Sequence, residues 1–193
     1  MKQLVSKIGL ALALSAVAVA AQAEWRLDGG ASSFHYVTSK NAAVSEVNSI
    51  TGLSGAIEND EATLRLDLAT VNTTIEVRDQ RMRDIVFQVA QFPEAVITVP
   101  VDSDMIDSLQ AGVPAAATYT ATVSLHGMTQ EVAADLQVVK LNANTLQVSL
   151  AKPLVIGAAA FGLAEGVEEL RNIAGLTTIN PNVVIDFSLL YRQ

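Results

Sequence analysis

Cysteine is missing from all 193 residues. Disulfides, thiolate metal sites and thiol catalysis are therefore excluded, and the folded state has to rest on its core. Aromatic residues make up only 5% of the chain, which is low for a strand-rich sequence, since strands usually pack with them. Basic residues are also scarce. Twelve Lys and Arg stand against twenty Asp and Glu, giving a net charge of -8. Such a chain is repelled by phosphate backbones and anionic membrane surfaces, so no nucleic-acid partner is expected. Long apolar runs are confined to Ile8–Ala20, which is shorter than the roughly 20 residues a transmembrane helix needs.

That run has a different meaning. Lys2 and Lys7 precede it, and Ala21-Gln22-Ala23 follows it in the small-x-small form of a signal-peptidase site. The pattern predicts a secretory signal peptide over residues 1–23, cleavage before Glu24, and a periplasmic or secreted mature chain with no integral membrane segment. With no cysteine to lipidate, no lipid anchor is expected. The remainder, residues 24–193, has the length of one domain.

Most of that domain alternates with period two. Leu64, Leu66 and Leu68 share a face against Thr63, Arg65 and Asp67. Tyr119, Ala121, Val123 and Leu125 alternate with Thr120, Thr122 and Ser124. Leu146, Val148 and Leu150 repeat the pattern, as do Val183, Ile185, Phe187, Leu189 and Tyr191. Alternation of this kind marks antiparallel strands with one buried face. Turn residues at 28–30, 58–60, 126–127 and 142–144 punctuate it. About eight strands are expected by this rule, in an all-β sandwich or barrel. Two segments read as short helices instead. Arg78 to Val89 carries Met82, Ile85, Val86 and Val89 at helical spacing, and Glu165 to Ala174 carries Val167, Leu170 and Ile173 before Gly175.

No catalytic constellation is present, and an enzyme is not expected. Thr51-Gly52-Leu53-Ser54-Gly55 only grazes a nucleophile elbow, because Ala56 stands where the last glycine belongs. There is no phosphate-binding glycine loop, and His35 and His126 lack the spacing of a metal pair. Neither a metal nor a cofactor is expected. The acidic stretch Asp102–Asp107 lacks the glycine and glutamate of a calcium loop and reads as a solvated connection between strands.

Several blocks recur in a family-like order. They are Trp25, Leu27 and Asp28 with Phe34 and Tyr36; Leu53-Ser54-Gly55-Ala56-Ile57; Leu68 to Thr73 followed by Arg78-Asp79-Gln80-Arg81-Met82-Arg83; Phe87 with Gln91-Phe92-Pro93; and Val123 to Thr129. Together they resemble the YceI-like family of exported polyisoprenoid-binding proteins. The resemblance implies an antiparallel, eight-stranded, lipocalin-like barrel with a helix over one end and a long isoprenoid chain inside. One departure is Val123, which stands where a glycine is usual, so ligand identity is not carried over with the fold.

The residues are compatible with that implication. An eight-stranded barrel either fills its lumen with side chains or holds one small ligand. Alanine recurs on the strand faces and at 115–117 and 158–160, and small inward residues leave an apolar void. Composition alone leaves a packed lumen equally open. Candidate ligand contacts are the apolar members of each strand face: Phe34, Tyr36, Leu64, Leu66, Tyr119, Val123, Ile185 and Phe187. Phe87 and Phe92 are candidates beside the helical cover. Arg78, Arg81 and Arg83 are candidates for a polar or anionic head group, against the plainer reading that they pair with Asp79 and Asp84 on a solvated helix. The expected function is an exported protein that carries or buffers an isoprenoid or other long-chain apolar lipid. The alternatives are a structural or stress-response barrel without a ligand, and an enzyme acting on such a lipid. A homodimer is compatible with each.

Overall fold

The last strand closes the sheet on itself. In the computed structural model, which describes residues 24–193, β10 (Asn182–Arg192) has neighbours along both edges. On one side it pairs antiparallel with β2 (Ser33–Lys40) through Ile185–Tyr36 and Phe187–Phe34. On the other it pairs with β8 (Thr145–Leu150) through Leu189–Val148 and Tyr191–Leu146. Between them run β3 (Val44–Glu58), β4 (Glu61–Asn72), β5 (Glu94–Pro100), β6 (Pro114–Leu125) and β7 (Met128–Asn142), each antiparallel to the next.

The ten strands occupy eight positions around this ring. β1 (Trp25–Leu27) bonds to both β10 and β3, so it continues the place of β2 after a break at Gly29–Ala31. β9 (Leu154–Gly157) pairs with Asn182–Ile185 of β10 and continues the place of β8. The eight-stranded expectation thus holds for the ring, and the extra strands are broken halves of two rungs. The signal peptide expected over residues 1–23 lies outside the described residues.

Three of the hairpins, those joining β2 to β3, β3 to β4 and β6 to β7, turn where two consecutive residues accept positive φ, which suits the twist of antiparallel strands. Asn59 (51°) and Asp60 (59°) join β3 to β4, and His126 (52°) and Gly127 (74°) join β6 to β7. The near-miss nucleophile motif lies on β3, where a register shift between Ile50 and Gly52 marks a bulge. The Gly52 N–H donates instead to Thr70 Oγ1 at 2.7 Å. Its residues therefore serve strand curvature.

Burial follows the alternation read from the sequence. Leu64, Leu66 and Leu68 are buried in β4, and Leu146, Leu189 and Tyr191 are buried where β8 meets β10. Helix α1 (Glu76–Arg81) continues into a wider π-helical turn (Met82–Val86), matching the helical spacing of 78–89. The acidic stretch expected as a connection contains helix α2 (Ser103–Ser108). Asp102 caps it by accepting from the Met105 N–H, and Ile106 is buried. One apolar side chain reaching the core inside a polar run gives too little periodicity to reveal such a helix. Helix α3 (Ala164–Ile173) follows Phe161 and packs against the π turn.

Candidate functional site

The closed sheet encloses two adjoining chambers. The outer one, of about 450 Å³, lies between one end of the ring and the cover formed by α1, the π turn and α3. The inner one, of about 190 Å³, runs toward the opposite end, where Met105 and Ile106 of α2 line it. Phe34, Leu66, Phe161 and Ile185 belong to both linings. The inner chamber is almost wholly hydrocarbon, whereas the outer one combines apolar walls with charged groups.

Strand β2 grades between these environments. Its inward residues run Phe34, Tyr36, Thr38, Lys40, and all four line the outer chamber. Opposite them on β3, Asn48 stands in register with Tyr36, and Glu46 with Thr38. Asn48 is buried and its amide donates to Thr38 Oγ1 at 3.0 Å. Glu46 accepts from Lys40 at 2.9 Å and from Arg78 at 2.7 Å, tying the β2–β3 hairpin to α1. Hydrogen bonding from Lys40 holds the Glu46 carboxyl below its ordinary value, helped by Arg78. Burial pushes the Tyr36 phenol upward, and the Asp79 charge adds to that shift.

Most sequence candidates fall on these walls. Phe34, Tyr36, Leu66, Phe87 and Ile185 line the outer chamber, as do Arg78 and Arg81. Leu64, Tyr119, Val123 and Phe187 line the inner one, together with Phe34, Leu66 and Ile185. Phe92 and Arg83 line neither. Phe92 follows the π turn and packs on His126, with ring centroids 4.6 Å apart, beside Gly127. Arg83 bonds to Glu76 at 3.0 Å and Gln80 at 2.9 Å. Two helical steps rotate a side chain by about 200°, so Arg81 and Arg83 cannot face one space. The pairing of Arg83 with Asp79 also fails, because Asp79 is buried and engaged with Thr73.

Sequence reasoning missed several wall residues. Phe161 and Leu163 line the outer chamber just before α3, in a segment with no clear period. Val167 and Leu170 do so from α3, and their helical spacing was the available signal. Asn48 and Glu46 gave none, since both look like solvated strand residues. Among the described residues, no group of three or more His, Asp or Glu is placed to hold a metal ion. No described helix is long and apolar enough to cross a membrane.

The family model described as the YceI-like domain matches residues 25–190. A polyisoprenoid binding domain from Saccharophagus degradans, implicated in plant cell wall breakdown, is 40% identical with a TM-score of 0.86, covering 87% of this chain and 97% of its own. BcnA of Burkholderia cenocepacia is 17% identical with a TM-score of 0.67, covering 85% of this chain and 98% of its own. The Campylobacter jejuni YCEI protein is 13% identical with a TM-score of 0.50, covering 100% and 99%. The last two support the fold alone. No curated protein sequence matches the chain.

Proposed function

The chain belongs to the YceI-like family, and from that premise we propose that it is a binding protein that holds an apolar, isoprenoid-type lipid inside its closed sheet, for carriage or buffering outside the cytoplasm. The observation that carries this reading is the pair of adjoining chambers, one nearly all hydrocarbon and one with a polar end. Apolar cavities of this kind accept apolar guests because they hold water poorly. The likeness to a polyisoprenoid binding domain at 40% identity supports the same ligand class. Binding, not catalysis, is the role proposed.

Burying a prenyl chain gains about 25 cal/mol per Å² of apolar surface, less the cost of ordering it. The gain is non-directional, so affinity should follow chain length more closely than chain chemistry. The proposed export rests on the pattern of residues 1–23. Native mass spectrometry of the full-length gene product, purified from producing cells, tests both parts. The expected species begins at Glu24 and carries a lipid-sized adduct that organic extraction removes and an added prenyl lipid restores. A protein with no adduct and no uptake is a barrel without a ligand and defeats the binding reading. A retained N-terminal segment defeats the export reading alone.

A further inference from the structure

Three segments meet at the covered end of the outer chamber, and two of them turn large apolar side chains to water. Helix α1 starts there. Ile75 is 45% exposed and Val77 56%, yet both line the chamber. Ile75 holds the N-cap position of α1 and its side chain caps nothing, although Ser, Thr, Asp or Asn would bond a free N–H there. The β2–β3 hairpin is the second segment. Val44 stands opposite Lys40, two residues from Glu46 and so on the same face of β3, and it too is exposed. The third is the loop after α3, whose Leu176 and Ile179 line the chamber. The Asn41 N–H donates to the Thr178 carbonyl at 3.0 Å and the Asn180 N–H to the Ser39 carbonyl at 2.8 Å, tying this loop to the hairpin. Arg78 joins α1 to the same hairpin through Glu46 at 2.7 Å. The three segments therefore frame one mouth.

Exposed apolar side chains gathered in one place mark a surface that is covered in use. The charges beside them indicate what covers it. Lys40, Arg78 and Arg81 line the chamber against Glu46 alone, and Arg81 has no ion pair among the described residues. The exposed Glu76 between Ile75 and Val77 is paired with Arg83. The mouth is thus locally positive in a chain whose net charge is -8. Apolar tips backed by cations suit a surface that enters lipid tails and meets lipid phosphates. The opposite end differs. Val113 is 51% exposed, but it lies at the end where α2 lines the inner chamber and where Asp104 and Asp107 are exposed.

We propose that this mouth docks on a phospholipid bilayer, with Val44, Ile75 and Val77 entering its apolar edge and Lys40 and Arg81 meeting lipid phosphates, so that a lipid passes between membrane and outer chamber without crossing water. The inference rests on the lipid-binding reading above. Exposing a prenyl chain to water is costly, and a docked mouth removes that step. Screening limits surface charge to a range of about 8 Å, so the mouth responds to its own cations while the acidic remainder is turned away.

The absence of cysteine gives the test its reporter. Val77→Cys and Val113→Cys each offer one attachment point for a nitrobenzoxadiazole dye, at exposed positions. Vesicles of phosphatidylcholine, alone or mixed equally with phosphatidylglycerol, are added to each labelled protein. The dye at position 77 is expected to brighten and shift to the blue, and the dye at 113 to stay unchanged. Binding should be tighter to the mixed vesicles despite the acidic chain, and salt should weaken it. In co-flotation, Ile75→Ser with Val77→Ser should lower partition by about tenfold, and Arg81→Gln should lower it by about fivefold on mixed vesicles. No response at 77, an equal response at 113, or weaker binding to mixed vesicles overturns the docking surface. A response at 77 that follows protein concentration instead of vesicles marks a contact between copies and overturns it too. Uptake of farnesol from solution without vesicle binding overturns the docking and leaves the lipid-binding reading standing. Vesicle binding without farnesol uptake supports the docking and defeats that reading.

Discussion

Asp79 accepts two hydrogen bonds from Thr73, one from its backbone N–H at 2.7 Å and one from its hydroxyl at 2.5 Å. Both residues are buried. The contact pins α1 to the end of β4, and α1 carries Arg78 and Arg81 into the outer chamber. Asp79→Ala strands two buried donors and should destabilise the protein by about 2–4 kcal/mol. Urea unfolding measures this. In a double-mutant cycle with Thr73→Val, a coupling of at least about 1 kcal/mol is expected. Additive single effects would show that the pair does not act as a unit.

Gly166 lets α3 approach the π turn. A Cβ there would stand 2.8 Å from the Ile85 carbonyl oxygen and 2.9 Å from Val86 Cα. In an open helix, Gly→Ala stabilises by about 0.5–1 kcal/mol. Here backbone lies in the way, and overpacking costs about 1–3 kcal/mol, so the net sign should reverse. Val167 and Leu170 of the same helix wall the outer chamber. Gly166→Ala should therefore lower the Tm and speed lipid release, read as the decay of bound adduct on dilution. A raised Tm would mean that the helix shifts freely, and that the close approach is not needed.

Stability should fall in acid partly through Glu46. Its folded-state pKa is depressed below the ordinary 4.5 by Lys40 first and Arg78 second. A depressed carboxyl contributes stability that is complete above the unfolded value of about 4.5 and is lost as pH drops through the lower folded value. The Tm of Glu46→Gln should consequently start lower at pH 6 and fall less steeply between pH 4.5 and 3. Parallel curves for the two proteins would remove Glu46 from the account.

How legible the fold was differs by element. Leu64, Leu66 and Leu68 announced β4 because one face meets the core and the other meets water, so each side chain's polarity records its direction. The broken rungs did not announce themselves, since β1 has three residues and β9 four, too few to display a period. Among site residues, the strand candidates reached the chambers because a closed sheet sends every inward position to the same interior. Arg83 and Phe92 failed for a different reason: their direction depends on helix phase and on the turn at Gln88, whose φ is 49°, and neither is set by polarity. Asn48 and Glu46 were invisible because they are polar residues on an inward face, which pattern reading assigns to solvent.

Val123 offers the sharpest test of whether the inner chamber is used. It lies on β6, opposite Ile97 of β5 and Gln130 of β7, and its side chain faces the cavity of about 190 Å³. In a close-packed interior, a larger side chain costs about 1–3 kcal/mol through displaced neighbours. In an open chamber it occupies existing space and gains contact instead. Val123→Phe should accordingly keep the free energy of unfolding, measured in urea, within about 1 kcal/mol of the wild type. Its effect should fall on ligand length, because the outer chamber is left intact while the tail end is obstructed. Across prenols of increasing length, wild-type affinity should rise with each added isoprene unit, whereas the variant should stop gaining at a shorter chain. Short prenols should bind both proteins alike. A loss of stability like that of a packed core, with unchanged length dependence, would mean that the inner chamber closes in solution and that the lipid lies in the outer chamber alone.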